Sequence, residues 1–291
     1  MASQQIGPDN AGVDTPPEEV VDGRWLAAHL DDPDLVVADV RWYLDGRSGR
    51  DAYEVGHVPG AVFVDLDTVL SAPPSTEGGR HPLPDPDRFA RDMGRLGIGD
   101  RSVVVAYDDA GGTIASRLWW MLDALGRPAA VLDGGIDAWS GALEPGPHER
   151  EPARFTPRPW PAERLATADE VEQARHRNIV ILDARSTRRY EHGGSVDPRS
   201  GHIPGARSMP ATHNLTEGRF RLPAALAEQY LAVGAADRAV IAYCGSGVTA
   251  CTDLLALRRA GLADGRLFVG SWSAWGADER RPAEPGPDTS A

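Results

Sequence analysis

Lysine is absent from this chain of 291 residues, and all 30 of its cationic side chains are arginine. Acidic residues number 43, so the formal net charge is −13. A protein that binds the phosphate backbone of nucleic acids needs clustered cations, and this charge balance disfavours such a surface. We therefore expect no nucleic-acid partner.

Long apolar runs, a secretion signal and a disulfide framework are missing as well. No stretch approaches the roughly 18 apolar residues that a membrane-spanning helix requires, so we expect no membrane association. The N-terminal segment has no basic stretch followed by an apolar one. The only two cysteines, Cys244 and Cys251, lie too close in sequence to cross-link distant parts of a large fold. These features favour a reduced, cytoplasmic setting.

The chain repeats itself in four blocks that follow the same order in each half. "GHVPGAVFVD" at 56–65 recurs as "GHIPGARSMP" at 201–210, and "VVADVR" at 36–41 recurs as "VILDAR" at 180–185. The other two pairs are "VVAYDDAGGT" with "VIAYCGSGVT" and "LDGGIDAW" with "FVGSWSAW". Four blocks in a conserved order indicate a tandem duplication of one domain.

Short apolar runs alternate with helical stretches in both halves, which is typical of parallel strands covered by helices on both faces. The sequence thus predicts an α/β fold with two tandem domains, at residues 18–143 and 165–279. A linker rich in proline and charge joins them at 144–164. We expect disorder at 1–17 and a flexible tail at 280–291.

Cys244 ends an apolar run and is followed by Gly245, Ser246 and Gly247 before a helical stretch begins. Open α/β folds place their functional crevices at the carboxyl ends of parallel strands. Loop N–H groups and a helix N-terminus at such a place form an anion cradle, which lowers the pKa of a thiol. The two glycines permit the tight curl that this cradle needs.

The residues around this loop sharpen the prediction. Thr249 lies in the first helical turn, where its hydroxyl can bond the loop backbone. Cys251 lies deeper along the same helix, and we expect an ordinary core thiol there. Two cysteines without a nearby histidine pair do not complete a zinc site, so we expect no metal and no cofactor. Asp108 stands in the place of Cys244 in the first half, which therefore keeps the scaffold without the chemistry.

Several motifs occur together in this chain: tandem domains, the "GHVPGA" and "GHIPGA" segments, the "GSWSAWG" segment and the six-residue loop "CGSGVT". With these motifs the chain resembles the two-domain rhodanese superfamily of sulfurtransferases over residues 20–278. In that family a cysteine of the C-terminal domain accepts sulfane sulfur as a persulfide and passes it to an acceptor. The resemblance implies that Cys244 is this cysteine and that the N-terminal domain is inactive. It also implies a thiol, cyanide or a thioredoxin-like protein as the acceptor.

The loop also bears on the sulfur donor. Loops of thiosulfate sulfurtransferases typically carry cationic residues including a lysine, whereas "CGSGVT" is typical of 3-mercaptopyruvate sulfurtransferases. The uncharged loop favours 3-mercaptopyruvate, whose carboxylate and keto oxygen suit arginine's planar fork. Thiosulfate stays open as the alternative donor. The resemblance implies a substrate site made of Arg189 and Arg199 with the loop residues Gly245, Gly247, Val248 and Thr249.

The same resemblance implies a proton relay in which Ser246 acts with a histidine and a carboxylate from the first domain. His57 of "GHVPGA" matches that histidine, and its carboxylate partner would lie near Asp51. The other interpretation is that His57 fixes the turn before Pro59, as His202 does in the second half.

Two rival functions belong to other classes. A phosphatase of the Cys-x5-Arg type needs an arginine before the helix, and the loop after Cys244 has none. A sulfur-carrier module that hands the persulfide to a partner protein stays open, because the thiol loop alone would permit it. Turnover with 3-mercaptopyruvate and a small acceptor separates an enzyme from a carrier.

Overall fold

The computed structural model describes residues 18–174 and 176–286. The disorder expected at 1–17 lies outside the described residues, as do positions 287–291 of the expected tail. Each half of the chain contains its own parallel sheet with helices packed on it, so the predicted α/β fold with two tandem domains is confirmed.

The first domain is built on five parallel strands. These are β1 (Val20–Val21), β2 (Leu35–Asp39), β3 (Val62–Phe63), β4 (Val103–Tyr107) and β5 (Ala129–Leu132). Their order in the sheet is β1-β5-β4-β2-β3. The helices of this domain are α1 (Gly23–His29), α2 (Gly49–Val55), α3 (Pro86–Arg95) and α4 (Ala115–Ala124), and a 3-10 turn covers Gly135–Ala138.

The second domain repeats this plan with a smaller sheet. Its strands are β6 (Ile179–Asp183), β7 (Arg207–Ser208), β8 (Leu215–Thr216), β9 (Arg219–Phe220), β10 (Ala239–Tyr243) and β11 (Arg266–Leu267). The parallel sheet has the order β11-β10-β6-β7, while β8 and β9 form a separate antiparallel pair. The helices are α5 (Ala168–Ala174), α6 (Thr187–His192), α7 (Pro223–Ala232), α8 (Ala250–Arg259) and α9 (Ser271–Trp275), with 3-10 turns at Ala162–Arg164 and Ala211–Asn214.

The central strands β4 and β10 occupy equivalent places, and both are apolar because helices cover both faces of their sheets. Each ends in a buried tyrosine whose hydroxyl accepts a backbone N–H from the repeated "GHxPGA" segment. Val58 donates to Tyr107 at 3.1 Å, and Ile203 donates to Tyr243 at 3.1 Å. The match extends the duplication from the sequence to individual hydrogen bonds.

The two domains share an interface formed by α4 and α8, and one continuous apolar core extends across it. Both helices are almost entirely buried. Each begins directly after the loop that follows a central strand, so packing α4 against α8 brings the two loops to the same interface.

The expected linker and the described part of the expected tail are both packed against the domains. In the expected linker at 144–164, the Phe155 side chain is buried and the Thr156 hydroxyl donates to Asp100 at 2.6 Å. Residues 280–286 are the described part of the expected flexible tail. There, Glu284 and His202 exchange two backbone hydrogen bonds of 2.9 Å, which fix this segment to the second domain.

Candidate active site

Cys244 follows β10 directly, and its side chain is buried at the start of the loop that leads into α8. Its backbone N–H donates to the Ser271 hydroxyl at 3.1 Å, and its carbonyl accepts from the Trp272 N–H at 3.0 Å. The Gly245 carbonyl accepts from the Ser273 N–H at 2.9 Å. The start of α9 therefore holds the first residues of the loop from behind.

The thiol of Cys244 is chemically distinct from an ordinary buried thiol. Burial acts to raise its pKa, but hydrogen bonds from the Thr249 hydroxyl and from the N–H groups of Ser246 and Ala250, together with the charge of Arg189, lower the pKa overall. Cys251 has no such cradle, and burial raises its pKa to about 12. The expectation that Cys251 is a core thiol is confirmed by its complete burial on α8.

The two glycines of the loop, at positions 245 and 247, have close neighbours. Gly247 has a φ of +77°, and a Cβ there would lie 2.7 Å from the Val269 carbonyl oxygen. A Cβ on Gly245 would lie 2.7 Å from a guanidinium nitrogen of Arg189. Gly247 therefore permits the curl of the loop, and Gly245 leaves room for Arg189 to approach it.

A cavity of about 330 Å³ opens in front of Cys244 between the two domains. The second domain contributes Arg189 and the loop residues, including Val248 and Thr249. The first domain contributes an aromatic and apolar wall together with two further arginines and an aspartate. The residues from the first domain are Trp42, Tyr43, Leu44, Arg47, Arg80, Asp109, Ala110 and Ile114.

Three arginines line this cavity, and two of them, Arg189 and Arg80, lie beside the Cys244 loop. Arg189, which the sequence predicts as a substrate ligand, pairs with Asp197 through contacts of 3.0 and 2.5 Å. Arg80 was missed by the sequence analysis. It donates to the Ser246 hydroxyl at 3.4 Å and to the Val196 carbonyl at 3.2 Å, and no carboxylate in the described part of the chain forms an ion pair with it. Burial, and next the charge of Arg189, lower the pKa of Arg80.

The structure does not place Arg199 among the residues that line the cavity, although the sequence predicts it as a substrate ligand. Its guanidinium donates to the carbonyls of Asp278 at 3.4 Å and Arg281 at 2.6 Å, and it lies over the Trp272 ring. The side chain therefore fastens the C-terminal segment. Arg185 likewise serves the scaffold, because it pairs with Asp183 at 2.7 Å.

A hydrogen-bonded chain of three side chains reaches the loop from the first domain. The Ser246 hydroxyl lies 2.8 Å from His81 Nδ1, and His81 Nε2 lies 3.0 Å from an Asp67 carboxylate oxygen. The Trp42 indole donates to the other Asp67 oxygen at 3.0 Å and so fixes the carboxylate. Because Asp67 accepts from Nε2–H, Nδ1 is left with a lone pair facing the Ser246 hydroxyl.

The charge state of His81 suits a proton acceptor. Burial lowers its pKa to about 4, with a further contribution from the neighbouring charge of Arg80. The imidazole is therefore neutral at physiological pH. In this state Ser246 can donate to His81 while its oxygen accepts from Arg80.

The prediction that His57 partners Ser246 is wrong. His57 Nδ1 bonds the Tyr53 carbonyl at 3.0 Å, and its Nε2 points toward Glu144 at 3.7 Å. His202 repeats both contacts in the second domain, with Tyr190 at 3.2 Å and with a glutamate at 3.8 Å. The histidine of the repeated segment therefore fixes a turn in each domain.

Asp51, the carboxylate expected near His57, lies exposed in the first turn of α2 instead. Its N–H donates to the hydroxyl of Ser48, which caps the helix. A signal for the correct residues lies in the repeat: "GRHPLP" of the first half parallels "GRFRLP" of the second. His81 stands there opposite Phe220, so it is a histidine that the second copy does not share.

The corresponding loop of the first domain is filled by its own side chain. The Asp108 carboxylate accepts N–H bonds of 2.7 to 2.8 Å from Ala110, Gly112, Ile114 and Ala115. The anion cradle thus persists in this domain, but a carboxylate occupies it permanently. This agrees with the expectation that the first domain lacks the chemistry of Cys244.

Residues 18–174 and 176–286 contain no group of three or more histidine, cysteine, aspartate and glutamate side chains that is arranged to hold a metal ion. In the same ranges no helix has the length and apolar character needed to cross a membrane.

Comparison with known proteins agrees with this architecture. The rhodanese-like domain model matches twice, at residues 22–142 and 167–278. The chain is 41% identical over 280 residues to a Pseudomonas aeruginosa protein named "Probable 3-mercaptopyruvate sulfurtransferase", covering 92% of this chain and 98% of that protein. It is 32% identical over 301 residues to "Thiosulfate/3-mercaptopyruvate sulfurtransferase 1, mitochondrial" of Arabidopsis thaliana, covering 92% of this chain and 78% of that protein.

A solved structure supports the same relationship. The 3-mercaptopyruvate sulfurtransferase from Leishmania major superimposes with a TM-score of 0.81 at 31% identity, covering 94% of this chain and 78% of the other. The family is shown by both domain matches, by the relatives and by the shared fold. The chain belongs to the rhodanese family of sulfurtransferases.

Proposed function

We propose that the protein transfers sulfur from 3-mercaptopyruvate, through a persulfide on Cys244, to a thiol or cyanide acceptor. The observation that carries this proposal is the cavity itself. It brings a thiol of lowered pKa together with three arginines and with a serine–histidine–aspartate chain. A thiolate nucleophile, a carboxylate-binding fork and a proton relay are the parts that this reaction needs.

The charges around the cavity favour a singly charged donor. The charge of Arg189 is largely offset by Asp197, and that of Arg47 by Asp45, whereas Arg80 has no ion-pair partner in the described ranges. Asp109 adds a negative charge to the wall. A 3-mercaptopyruvate monoanion gains a bidentate arginine contact here, while the thiosulfate dianion would leave one negative charge without a matching cation.

In the first half-reaction the Cys244 thiolate attacks the sulfur of 3-mercaptopyruvate. The new S–S bond forms while the C–S bond breaks, and its electron pair remains on the organic fragment as the pyruvate enolate. The proton on the transferred sulfur passes by way of Ser246 and His81 to the enolate carbon. The products are pyruvate and the Cys244 persulfide anion, so no external oxidant or reductant is required.

The loop is suited to both sulfur anions, the Cys244 thiolate before the transfer and the Cys244 persulfide after it. N–H groups at the start of α8 and the Thr249 hydroxyl face the Cys244 sulfur and stabilise its negative charge. In the second half-reaction an acceptor thiolate or cyanide attacks the outer sulfur, and Cys244 leaves as a thiolate. A thioredoxin-like protein could present such a thiolate at the open mouth of the cavity.

The first experiment compares kcat/KM for 3-mercaptopyruvate with kcat/KM for thiosulfate, using cyanide as the common acceptor. We expect a ratio well above one, and a ratio below one would overturn the assignment of the donor. Steady turnover with cyanide also separates an enzyme from a sulfur carrier, because a carrier would load poorly from 3-mercaptopyruvate.

The second experiment tests the nucleophile. Incubation with 3-mercaptopyruvate and no acceptor should add one sulfur atom to the Cys251→Ala variant and none to Cys244→Ser, as read by intact mass. Cys244→Ser should also lose turnover while keeping the melting temperature of the parent. Sulfur transfer that survives in Cys244→Ser would remove Cys244 from the mechanism.

A further inference from the structure

Arg117 is a fully buried arginine on α4 of the first domain, directly behind the Cys244 loop. Its guanidinium donates across the interface to the Gly247 carbonyl at 2.9 Å. It also donates to the carbonyls of His81 at 3.2 Å and Leu70 at 3.4 Å. One side chain thus connects the catalytic loop with the segment that carries the relay histidine.

The charge of Arg117 is not balanced by a carboxylate. The groups that act electrostatically on it are the thiols of Cys251 and Cys244, and its Nε has no partner within the described residues. The other buried arginines of the scaffold differ, because Arg41 pairs with Asp39 and Arg185 with Asp183. Burying an unpaired cation is costly, which points to an anion that the cation serves.

Arg117 also determines which way a loop peptide faces. A trans peptide is planar, so the Gly247 carbonyl and the Val248 N–H of one peptide unit point in opposite directions. With the carbonyl held toward Arg117 at 2.9 Å, the Val248 N–H points away from the Arg117 guanidinium. The Cys251 thiol, 3.5 Å from the same carbonyl, contributes to this anchor.

The other titratable groups around Cys244 leave Arg117 with a specific part. Burial raises the pKa of Cys251 to about 12 and so keeps it a neutral thiol, and burial also raises the pKa of Asp253 on α8 well above its usual range. His81 is neutral for the reason given above. Arg189 on α6 pairs with Asp197, and Arg80 lines the cavity and donates to the Ser246 hydroxyl.

We propose that Arg117 is a positioning residue for the sulfur anion on Cys244, which it stabilises from behind the loop while it orients the Gly247–Val248 peptide. The first domain then supplies part of the electrostatics that keep Cys244 a thiolate and retain its persulfide. This inference rests on the proposed function, since it assigns Arg117 to the nucleophile of that reaction.

The test measures the pKa of Cys244 without any donor, from the pH dependence of its iodoacetamide alkylation followed by peptide mass spectrometry. Arg117→Met keeps the bulk of the side chain and removes the charge. We expect the alkylation pKa to rise by about one unit or more and kcat to fall at least about ten-fold. An alkylation pKa equal to that of the parent would overturn the proposal.

Arg117→Lys keeps the charge but loses the fork that reaches both Gly247 and His81, and it provides a readout if Arg117→Met fails to fold. We expect an alkylation pKa near that of the parent with a reduced kcat, and an unchanged kcat would count against the positioning role. Arg127→Met is the matched control, because Arg127 lies in the first domain but pairs with Asp100. It should lower the melting temperature and leave the alkylation pKa of Cys244 unchanged.

The alkylation pKa and turnover report on different proposals. An unchanged pKa in Arg117→Met, with normal turnover of 3-mercaptopyruvate by the parent, would refute the role of Arg117 alone. A parent enzyme without turnover would refute the proposed function even if the pKa shifted as expected.

Discussion

Replacing His81 by asparagine should remove the proton relay while preserving a polar side chain at the interface. The His81 Nδ1 lies 2.8 Å from the Ser246 hydroxyl, within reach for proton transfer, and the low pKa keeps this nitrogen unprotonated. A positioned acid–base group contributes about 100- to 10,000-fold to the rate. We therefore expect His81→Asn to lower kcat for 3-mercaptopyruvate by roughly that factor, equivalent to about 3–5 kcal/mol of transition-state stabilisation.

The matched control is His57→Asn, because the sequence pattern alone favoured His57 as the relay histidine. His57 does not line the cavity, and its ring stacks on Tyr53 at 4.1 Å within the first domain. This variant should lose stability by about 1–2 kcal/mol and keep its kcat. Steady-state rates with cyanide and urea melts on both variants decide between the two histidines. A loss of kcat in His57→Asn that matched the loss in His81→Asn would refute the assignment.

Two further predictions follow from the charges of the site. Arg80→Met and Arg189→Met should each raise the KM for 3-mercaptopyruvate about ten-fold or more and alter thiosulfate kinetics less. Arg199→Met should leave the KM for 3-mercaptopyruvate unchanged. Equal increases in KM for all three variants would contradict the assignment of Arg80 and Arg189. His81 has a pKa of about 4 in the folded chain and about 6.5 when unfolded, so the unfolded chain binds more protons between these values. Stability should therefore fall as the pH drops from about 6.5 to 4, by at most about 3 kcal/mol, and urea melts should show a smaller fall for His81→Asn.

The features predicted correctly from the sequence are those that depend on neighbouring residues. The strand before Cys244, the glycines after it and the helix that follows are contiguous, so their geometry is determined locally. The α/β fold could also be predicted from the sequence, because the apolar strands and the duplicated blocks recur in each half. The scaffold contact of Arg185 is local in the same way, because its partner Asp183 lies two residues away.

The errors concern side chains that reach the site from a distance. His81 and Arg80 lie more than 160 positions before Ser246 and meet it only because α4 packs against α8. His57 was favoured because it belongs to the most prominent repeated segment. A residue that recurs in both domains, as His57 recurs in His202, serves what the domains have in common, which is the fold.

The interface suggests why an inactive copy of the domain persists beside an active one. The "GRHPLP" segment of the first domain and the "GRFRLP" segment of the second each reach across the interface. His81 of the former bonds the Cys244 loop, and Phe220 of the latter lies 3.1 Å from the position that a Cβ on Gly112 would take. In one direction the extended residue is apolar and meets a cradle already filled by Asp108. In the other direction it is a neutral histidine, and it arrives with Arg80 and Arg117 at a cradle that holds a thiol. The duplication has thus divided the work, because one copy keeps the nucleophile and the other supplies the relay and the charges that control it.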